Sequence, residues 1–249
     1  SKCLVTGGAG FIGSHIVEKL IDLGHEVLVI DNESSENEKF YWHSKAKNFK
    51  GNITNFTLMK DISIGVEYIF HCAAESRIGG TLNNPLKTIK SNILGTSIVL
   101  ECARESNVKK IIYSSTSSVY GPNSVPNHEE QIDDCQNPYS VSKIMGERLC
   151  KMYYELYGLQ TVVLRYFNVY GERSPVKGIY SPVVGIFLKQ FYDGYPLTIT
   201  GDGKQRRDFI YVGDVIEANM RAAFPKKELK DMFQIYNVGS GINYSINQI

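Results

Sequence analysis

The first 31 residues constrain the fold more than any other part of the chain. An apolar strand pattern, Lys2–Thr6, leads into the glycine-rich stretch Thr6-Gly-Gly-Ala-Gly-Phe-Ile-Gly13, which opens an amphipathic helix pattern at Phe11–Leu23. Three spaced glycines allow a tight turn, a close approach of the backbone to a ligand and close packing of the helix on the strand. Since the N–H groups that begin a helix attract an anion, this arrangement predicts a dinucleotide site in a parallel α/β fold.

The second predicted strand, His25–Asp31, ends in a carboxylate. In dinucleotide-binding folds an acidic residue at this place binds the ribose 2′-hydroxyl and repels a 2′-phosphate, so Asp31 favours NAD over NADP. A surface aspartate that merely ends a strand is the alternative. The polar stretch that follows, up to Asn48, is predicted to be a surface loop with a short helical piece.

Strand and helix patterns continue to alternate over the first 165 residues. Apolar runs at Val66–Cys72, Lys109–Ser115 and Gln160–Tyr166 are typical of buried strands, and helix patterns cover Leu86–Ser106 and Pro138–Tyr157. Helices between the strands imply right-handed crossovers and a parallel sheet covered on both faces. The predicted fold class is therefore α/β, a doubly wound, Rossmann-like parallel sheet.

The pattern changes after Gly171, where prolines and glycines interrupt the alternation. We expect a smaller C-terminal substrate-binding lobe, with the chain returning to the main sheet at Asp208–Val212 and at Gln234–Val238. The expected division is an NAD-binding domain of residues 1–168 and about 205–238, and a lobe of residues 169–204 and 239–249. The capping-box pattern Ser245–Gln248 opens a helix that would be too short at Ile249 to be stable, so we expect the natural chain to continue.

Charge and cysteine content exclude several classes of protein. The 249 residues carry 27 Lys and Arg against 26 Asp and Glu, so no overall field draws the chain to nucleic acid or to an anionic membrane. No apolar run approaches the roughly 18 residues that a membrane span needs. The five cysteines form no CxxC pair and no metal-ligand spacing, which indicates free thiols, a cytoplasmic location and no metal site.

Two residue pairs have the spacing of a catalytic tyrosine and lysine. Tyr139 and Lys143 lie four apart in a predicted helix and share one face of it, whereas Tyr41 and Lys45 have the same spacing within the polar loop. The hydroxyl-rich stretch Tyr113–Gly121 continues from a predicted strand, at the edge where open α/β sheets bind ligands. This stretch favours Tyr139 and Lys143 as the catalytic pair, and we interpret the spacing of Tyr41 and Lys45 as accidental. A serine- and threonine-rich turn without a function is the alternative for this stretch.

Five motifs occur in a fixed order along the chain: TGGAGFIG, HCAAES, SSTSSVYG, YSVSK and RYFNVYG. In this order and spacing they resemble the extended short-chain dehydrogenases/reductases. Within them the chain resembles the NAD-dependent epimerase/dehydratase family, which acts on nucleotide sugars, and its UDP-glucose and UDP-N-acetylglucosamine 4-epimerases in particular. The resemblance extends from Lys2 to about Ile249. It implies NAD as the cofactor and a UDP-sugar as the substrate.

The resemblance assigns the chemistry to three residues. Tyr139 removes a proton from a sugar hydroxyl while a hydride passes to NAD⁺, Lys143 holds the nicotinamide ribose and lowers the pKa of the tyrosine, and Thr116 hydrogen-bonds the reacting oxygen. An ordinary tyrosine, with a pKa near 10, is only about 0.1% ionised at pH 7. An adjacent ammonium and a positive nicotinamide ring have the right sign to lower that pKa into a useful range.

The glycine loop and the resemblance together predict the binding residues. Those for the cofactor are Gly7, Gly10, Phe11, Ile12, Gly13, Asp31, Asn32, Asn52, Ile53, Ala73, Ala74, Asn92, Ser114, Tyr139, Lys143 and Tyr166. Those for the substrate are Thr116, Asn168, Val183, Thr198, Thr200 and Arg207. Arg207 matches an arginine that pairs with the diphosphate, whereas core or strand packing is an equal alternative for Val183, Thr198 and Thr200. Asn52 stands where the family has an aspartate, which keeps a hydrogen bond and loses a charge.

The two residues after Thr116 discriminate between the reactions of the family. Relatives that eliminate water or carbon dioxide carry carboxylates there, whereas this chain has Ser117 and Ser118. Elimination therefore lacks its proton donors, and we predict 4-epimerisation of a UDP-hexose through a transient 4-keto sugar. Another nucleotide-sugar epimerase, for instance one acting on UDP-glucuronate, or a dehydratase or decarboxylase is the alternative within the family. An NAD-binding sensor without activity is the alternative of another class.

Members of this family often dimerise by pairing two helices from each subunit. The matching helices here are Leu86–Ser106 and Pro138–Tyr157, and Ile89, Ile93 and Leu100 would supply an apolar face. We predict a homodimer on this basis. A stripe that faces the sheet is the alternative, since it has the same pattern.

Overall fold

The computed structural model describes residues 1–35, 39–176, 182–227 and 233–249, and the predicted doubly wound parallel sheet is confirmed. The strands are β1 Lys2–Thr6, β2 Glu26–Asp31, β3 Lys47–Lys50, β4 Tyr68–His71, β5 Lys110–Thr116, β6 Gln160–Tyr166, β7 Asn168–Tyr170, β8 Arg206–Tyr211, β9 Phe233–Val238 and β10 Asn243–Ser245. Seven form one parallel sheet in the order β3-β2-β1-β4-β5-β6-β9. The order reverses between β1 and β4, where such sheets open a crevice for a ligand.

Helices cover both faces of this sheet. They are α1 Phe11–Asp22, α2 Phe56–Ser63, α3 Ile78–Asn83, α4 Pro85–Ile89, α5 Gly95–Glu105, α6 Pro138–Tyr157, α7 Val183–Tyr192 and α8 Val212–Ala223, with a π-helical turn at Lys90–Leu94 and 3₁₀ turns at Ser117–Tyr120 and Ile246–Gln248. The core beneath α1 and α8 contains Val5 of β1, and the core beneath α2, α5 and α6 contains its neighbour Leu4. Because successive strand residues point to opposite faces, a strand buried on both needs an unbroken apolar run.

The long helix predicted at Leu86–Ser106 is present but irregular. α4, the π-helical turn and α5 follow one another without a break from residue 85 to residue 105. The expectation that Leu100 contributes to an exposed apolar face is wrong, because this side chain is 1% exposed and packs in the core against the sheet. Ile89, in contrast, is exposed.

Three strands form a separate small sheet in the order β10-β8-β7. β8 pairs with β7 in parallel and with β10 antiparallel, so the prediction that Asp208–Val212 returns to the main sheet is wrong. The physical reason lies in burial: of the six residues of β8 only Ile210 is buried, whereas an inner strand of the main sheet buries both faces. The return at Gln234–Val238 is confirmed, since β9 pairs with β6.

The polar stretch after Asp31 also differs from its prediction. Its last residues form β3, a short strand at the edge of the main sheet with one half-buried residue, Phe49. The described residues between 32 and 46 contain no helix.

Within the residues described, no helix has the length and apolar character needed to cross a bilayer. The same residues contain no group of three or more His, Cys, Asp and Glu side chains arranged for a metal ion.

Candidate active site

A cleft of about 550 Å³ opens at the carboxyl ends of β1, β4 and β5. It lies at the reversal of strand order, the position at which open parallel sheets bind their ligands. The glycine loop forms one wall, the ends of β2 and β4 continue the floor, and α6 closes the far end with Tyr139 and Lys143. The topology therefore brings the predicted dinucleotide loop and the predicted catalytic pair into one cavity.

The glycine loop is shaped by close approaches of the backbone. Gly7 has a φ of +68°, and a Cβ there would lie 2.8 Å from the backbone nitrogen of Ala73. A Cβ on Gly13 would lie 2.1 Å from the carbonyl oxygen of Gly7. Gly10 begins α1 without a side-chain cap, and the first turn carries no acidic residue. The first N–H groups of α1 are therefore left for an anion, which fits the diphosphate of a dinucleotide.

Asp31 ends β2 at the edge of the cleft. Its Oδ2 accepts a hydrogen bond from the N–H of Ala9 at 3.1 Å, and its Oδ1 accepts one from the N–H of Glu33 at 2.8 Å. Burial raises the pKa of this carboxyl, against the lowering effect of those two backbone N–H groups. A carboxylate oriented in this way still has lone pairs to accept hydrogen bonds from a ribose, as the preference for NAD requires.

All the predicted cofactor residues except Asn92 line this cleft. Asn92 lies beneath it in the π-helical turn and is 1% exposed. Its Oδ1 accepts a hydrogen bond from the N–H of Glu75 at 2.8 Å, and its Nδ2 donates to the Glu75 carbonyl at 3.0 Å and to the Ser142 hydroxyl at 2.9 Å. Asn92 therefore joins the segment after β4, which lines the cleft, to the helix that carries the catalytic pair.

The N-terminus of α6 places Tyr139 at the cleft. The Asn137 side chain accepts a hydrogen bond from the N–H of Ser140 at 2.9 Å, and the Ser140 hydroxyl accepts one from the N–H of Asn137 at 3.3 Å. With Pro138 at the first helical position, this capping box fixes where the helix begins. Lys143 follows one turn later, is 5% exposed, and donates from Nζ to the carbonyl oxygen of Ser114 at 2.8 Å.

Thr116 ends β5 opposite Tyr139. Its hydroxyl oxygen accepts a hydrogen bond from the N–H of Ser118 at 3.1 Å and caps the 3₁₀ turn, while its proton is donated to the Ser118 hydroxyl at 3.1 Å. A hydrogen bond with Thr116 acts to lower the pKa of the Tyr139 phenol. Hydrogen bonds thus connect the hydroxyl groups of Tyr139, Thr116 and Ser118, and Tyr139 is the one of the three that lines the cleft.

Burial dominates the pKa of both members of the predicted catalytic pair. It raises the pKa of Tyr139 to about 12, with the Thr116 hydrogen bond as the opposing influence. It lowers the pKa of Lys143 to about 8, against the nearby Glu147 carboxylate, which raises it. Without a cofactor, Tyr139 is therefore neutral at pH 7, whereas most Lys143 side chains are charged. A positive ring beside the phenol would shift the tyrosine toward phenolate.

A buried histidine that sequence analysis missed lies under the cleft. The Nδ1 of His71 is 2.6 Å from the Thr6 hydroxyl, and its Nε2 is 2.9 Å from the Thr96 hydroxyl. Burial, and secondarily the charge of Lys143, lowers the pKa of His71 to about 3. A neutral imidazole between two hydroxyls can act as donor and acceptor at once, so it links β1, β4 and α5. No motif indicated this role, because its partners lie far away in the sequence.

The predicted substrate residues are only partly brought together. Asn168, Val183 and Arg207 line a second cavity of about 250 Å³, which shares Val169 and Pro182 with the cleft. Asn168 donates from Nδ2 to the carbonyl of Asp208 at 2.9 Å, a contact within the small sheet.

Thr198 and Thr200 line neither of these cavities. Both are exposed, and Thr198 exchanges hydrogen bonds with the side chain of Gln190. Sequence analysis also missed Cys72 and Ser115, which line the cleft. Their positions next to Ala73 and Ser114 at strand ends were an available signal.

Comparisons with known proteins agree with this geometry. The model of the NAD dependent epimerase/dehydratase family matches residues 3–239. A putative UDP-glucose 4-epimerase of Methanocaldococcus jannaschii is 40% identical over 249 aligned positions, and the alignment covers 99% of this chain and 79% of that protein. A UDP-glucuronate 4-epimerase of Thermodesulfobacterium geofontis is 38% identical over 260 residues, with 99% of this chain and 77% of that protein covered.

Solved structures give the same result. The UDP-glucose 4-epimerase of Thermotoga maritima with UDP-glucose superposes with a TM-score of 0.93 at 37% identity, covering 100% of this chain and 80% of the other. The UDP-glucose 4-epimerase of Thermus thermophilus in complex with NAD superposes with a TM-score of 0.87 at 33% identity, covering 99% of this chain and 80% of the other.

Proposed function

Because the chain belongs to the NAD-dependent epimerase/dehydratase family, we propose that it inverts C4 of a UDP-hexose, UDP-glucose or UDP-N-acetylglucosamine, with NAD as its cofactor. The observation that carries this proposal is that Tyr139 and Lys143 line one end of a cleft suited to a dinucleotide, with the Thr116 hydroxyl hydrogen-bonded to Tyr139. A protein that only binds a nucleotide needs the glycine loop and has no use for a buried lysine beside a phenol.

The residues of the chain account for the proton transfers. Tyr139, as phenolate, takes the proton of the sugar O4′ and later returns it, with Thr116 hydrogen-bonded to the same oxygen. Lys143 keeps an ammonium group beside this exchange, held by the Ser114 carbonyl. The chemistry that bound NAD supplies is reversible acceptance of a hydride from C4′, together with a positive ring charge. Inversion requires the 4-keto sugar to present its other face before the C–H bond is restored.

The two residues after Thr116 favour epimerisation over elimination. Ser117 and Ser118 are half-buried hydroxyl residues at the start of the 3₁₀ turn, and Ser118 is engaged with Thr116. Neither has a pKa at which it could act as an acid at neutral pH. A dehydratase needs a further acid and base at this place, so the chemistry that remains is oxidation and reduction at one carbon.

The second cavity is the proposed site of the nucleotide part of the substrate. Arg207 lines it, and a guanidinium suits a diphosphate because its donors match two phosphate oxygens at once. On this proposal residues 1–168 with the chain from α8 to β9 hold the cofactor, and residues 169–204 and 239–249 form the substrate lobe. β8, which was expected in the cofactor domain, belongs with the lobe because it pairs with β7 and β10. The Thermodesulfobacterium relative makes a UDP-uronate the alternative substrate. A dehydratase or decarboxylase, or a sensor without activity, is the remaining alternative.

One experiment distinguishes these outcomes. The purified protein is incubated separately with UDP-glucose, UDP-N-acetylglucosamine and UDP-glucuronate, and the anomeric signals are followed by NMR. Appearance of the C4 epimer of a hexose substrate without added NAD supports the proposal. A C4 epimer of the uronate alone would move the assignment to the alternative substrate. A 4-keto-6-deoxy sugar or a pentose would overturn the reaction, and binding without turnover would point to a sensor.

We also propose a cytoplasmic homodimer. The cysteines of the chain are free thiols, three of them buried, which suits a reducing compartment. α4, the π-helical turn and α6 pack side by side. Their outer face exposes Leu86, Ile89, Leu94, Met145, Met152 and Leu156. A second copy covering this face would bury it, and sedimentation at twice the 28.0 kDa of one chain is the expected result. A monomer at all concentrations would contradict the dimer.

A further inference from the structure

Behind the catalytic residues lies a buried ion pair that the proposed mechanism does not use. Glu147 follows Lys143 by one turn of α6 and Tyr139 by two, so the three side chains share one face of the helix. Its carboxylate accepts two hydrogen bonds from the Arg165 guanidinium, Nε to Oε1 at 3.0 Å and Nη2 to Oε2 at 2.6 Å. The two side chains are 4% and 5% exposed.

A third contact ties this pair to the strand that carries Thr116. The Ser115 hydroxyl donates to Oε1 of Glu147 at 2.5 Å, and Ser115 lies between Thr116 and the residue whose carbonyl accepts from Lys143. Two successive turns of α6 are therefore fixed to two successive residues of β5. A helix held at one point can still rotate about it, whereas a helix held at two cannot.

Arg165 extends the same network to the other side of the site. It precedes Tyr166, which lines the cleft, and its Nη1 donates to the Tyr120 hydroxyl at 3.0 Å. The guanidinium carbon also lies 5.0 Å from the centre of the Tyr120 ring. The Tyr120 hydroxyl donates in turn to Oδ1 of Asn237 at 2.7 Å, at the end of β9. One charged pair thus connects, through hydrogen bonds, α6, β5, β6, β9 and the 3₁₀ turn at Ser117–Tyr120.

Stability alone is a poor reason for such a pair. Replacement of a buried ion pair by apolar residues of similar volume is often neutral or stabilising, because both charges lose their hydration. A guanidinium that donates two parallel hydrogen bonds to a carboxylate fixes the relative orientation of the two side chains, since both bonds form only in one arrangement. Orientation matters here, because a displacement of about 1 Å in a catalytic group can cost about 10²-fold in rate.

We propose that Glu147 and Arg165 are positioning residues, which fix the rotation of α6 on β5 and so set the approach of the Tyr139 phenol to the Thr116 hydroxyl. Ser115 carries this constraint from the pair to the strand. The proposal rests on the proposed function in one respect, the assignment of Tyr139 as the base.

The test uses full-length protein loaded with NAD. Glu147→Gln keeps the shape and removes the charge, Glu147→Asp keeps the charge on a shorter stem, and Ser115→Ala removes only the hydroxyl link. Arg148→Gln is the matched control, since the adjacent residue on α6 forms a 2.9 Å ion pair with Asp133 while 64% of its side chain is exposed. For each variant we would measure kcat and KM for the UDP-sugar, and the ionisation of Tyr139 by absorbance at 295 nm relative to the same protein carrying Tyr139→Phe.

Glu147→Gln is expected to lower kcat about 10- to 100-fold with KM within about threefold, and to move the ionisation midpoint of Tyr139. Glu147→Asp should recover part of the loss, Ser115→Ala should lower kcat less in the same direction, and Arg148→Gln should match the parent. An unchanged kcat and an unchanged Tyr139 titration in Ser115→Ala and in folded Glu147→Gln would overturn the proposal. If Glu147→Gln does not fold, Ser115→Ala decides by the same two readouts.

Failure of the proposed function would give a different result. In that case the parent protein itself would convert no UDP-sugar, while the titration of Tyr139 in parent and variants would still report whether the pair positions the phenol.

Discussion

The cofactor cleft and the smaller cavity beside it differ in how firmly the chain holds their walls. At the end of the cleft, Lys143 is buried and donates to the carbonyl of Ser114 in β5. Thr116, next to Tyr139, is buried as well and is hydrogen-bonded to Ser118 in the turn after β5. In the smaller cavity, Arg207 and Gln205 are exposed, and Arg207 donates to the carbonyl of its neighbour Arg206. The groups assigned to proton transfer are therefore preorganised, whereas those assigned to substrate binding are free to adjust.

This difference agrees with the requirements of the two tasks. Proton transfer depends steeply on distance, so its groups gain from rigid neighbours. Binding of a flexible diphosphate tolerates adjustment by an exposed arginine, since the contact is electrostatic and long in reach. Substitutions of the proton-transfer groups should thus act on the rate of the chemical step, and substitutions in the smaller cavity on the affinity for the UDP-sugar.

The largest effect is expected for Tyr139→Phe. Loss of the phenol removes the base without changing the ring, so kcat should fall by at least about 10³-fold while KM for the UDP-sugar changes less than about threefold. NMR of the sugar anomeric signals measures both. Tyr157→Phe, which removes the same atom at the other end of α6 where the side chain is 53% exposed, should leave kcat unchanged. Retained turnover in Tyr139→Phe would show that Tyr139 is not the catalytic base.

The next largest effect concerns stability and pH at His71. Its pKa is lowered from 6.5 to about 3, so the unfolded chain takes up a proton below pH 6.5 that the folded chain refuses until about pH 3. The free energy of unfolding should therefore fall as pH falls through this window, by up to about 1.4 kcal/mol per pH unit from this group. Urea unfolding at several pH values should show a flatter dependence for His71→Asn than for the parent.

The control for His71 is His128→Asn, because the His128 side chain is 61% exposed. Its pH dependence should run parallel to that of the parent. Equal slopes for the parent and His71→Asn would show that the imidazole is not held neutral under the cleft.

A smaller effect is expected for Asp31→Asn. The amide cannot accept two charged hydrogen bonds from a ribose and no longer repels a phosphate, so NAD affinity should fall about 10- to 100-fold and discrimination against NADP should weaken. Calorimetric titration of NAD-free protein with each dinucleotide gives both numbers. Asp22→Asn, an exposed carboxylate at the end of α1, should bind NAD like the parent. An unaltered preference for NAD over NADP in Asp31→Asn would show that this carboxylate does not select the cofactor.

The smallest effects belong to the smaller cavity. Arg207→Gln should raise KM for the UDP-sugar about tenfold with kcat unchanged, since one charged contact to the diphosphate is lost. Thr198→Val should change KM less than about twofold, because this side chain lies outside both cavities and pairs with Gln190. Steady-state kinetics decide the point. If Thr198→Val raises KM more than Arg207→Gln does, the substrate binds at residues other than those that line the two cavities.

Local patterns predicted the fold and several residues that the structure brings into one cleft. The glycine loop, Asp31 and the pair Tyr139 and Lys143 are each defined by residues close in sequence, and their neighbours in space result from the alternation of strands and helices. Family resemblance added Thr116, whose place opposite Tyr139 depends on the pairing of strand and helix.

Features that depend on distant partners could not be predicted in this way. His71 and Asn92 have roles that depend on backbone and side-chain groups 17 to 65 residues away. β8 carries a pattern compatible with either sheet, and pairing with β7 and β10 decided the matter. Leu100 could face the sheet or solvent on periodicity alone, since both faces give the same spacing.

The π-helical turn at residues 90–94 has a consequence for sequence change. Such a turn is an α-helix with one residue too many, and deleting that residue would restore regular hydrogen bonding. The repair would also rotate Asn92 relative to α5 by about 100°, the angle between neighbouring residues of a helix. The Asn92 amide would then lose its hydrogen bonds to Glu75 and Ser142, which hold the segment after β4 against α6. A deletion here would thus weaken the support of the cleft, whereas point substitutions at the exposed residues Lys90 and Leu94 should be tolerated far more readily.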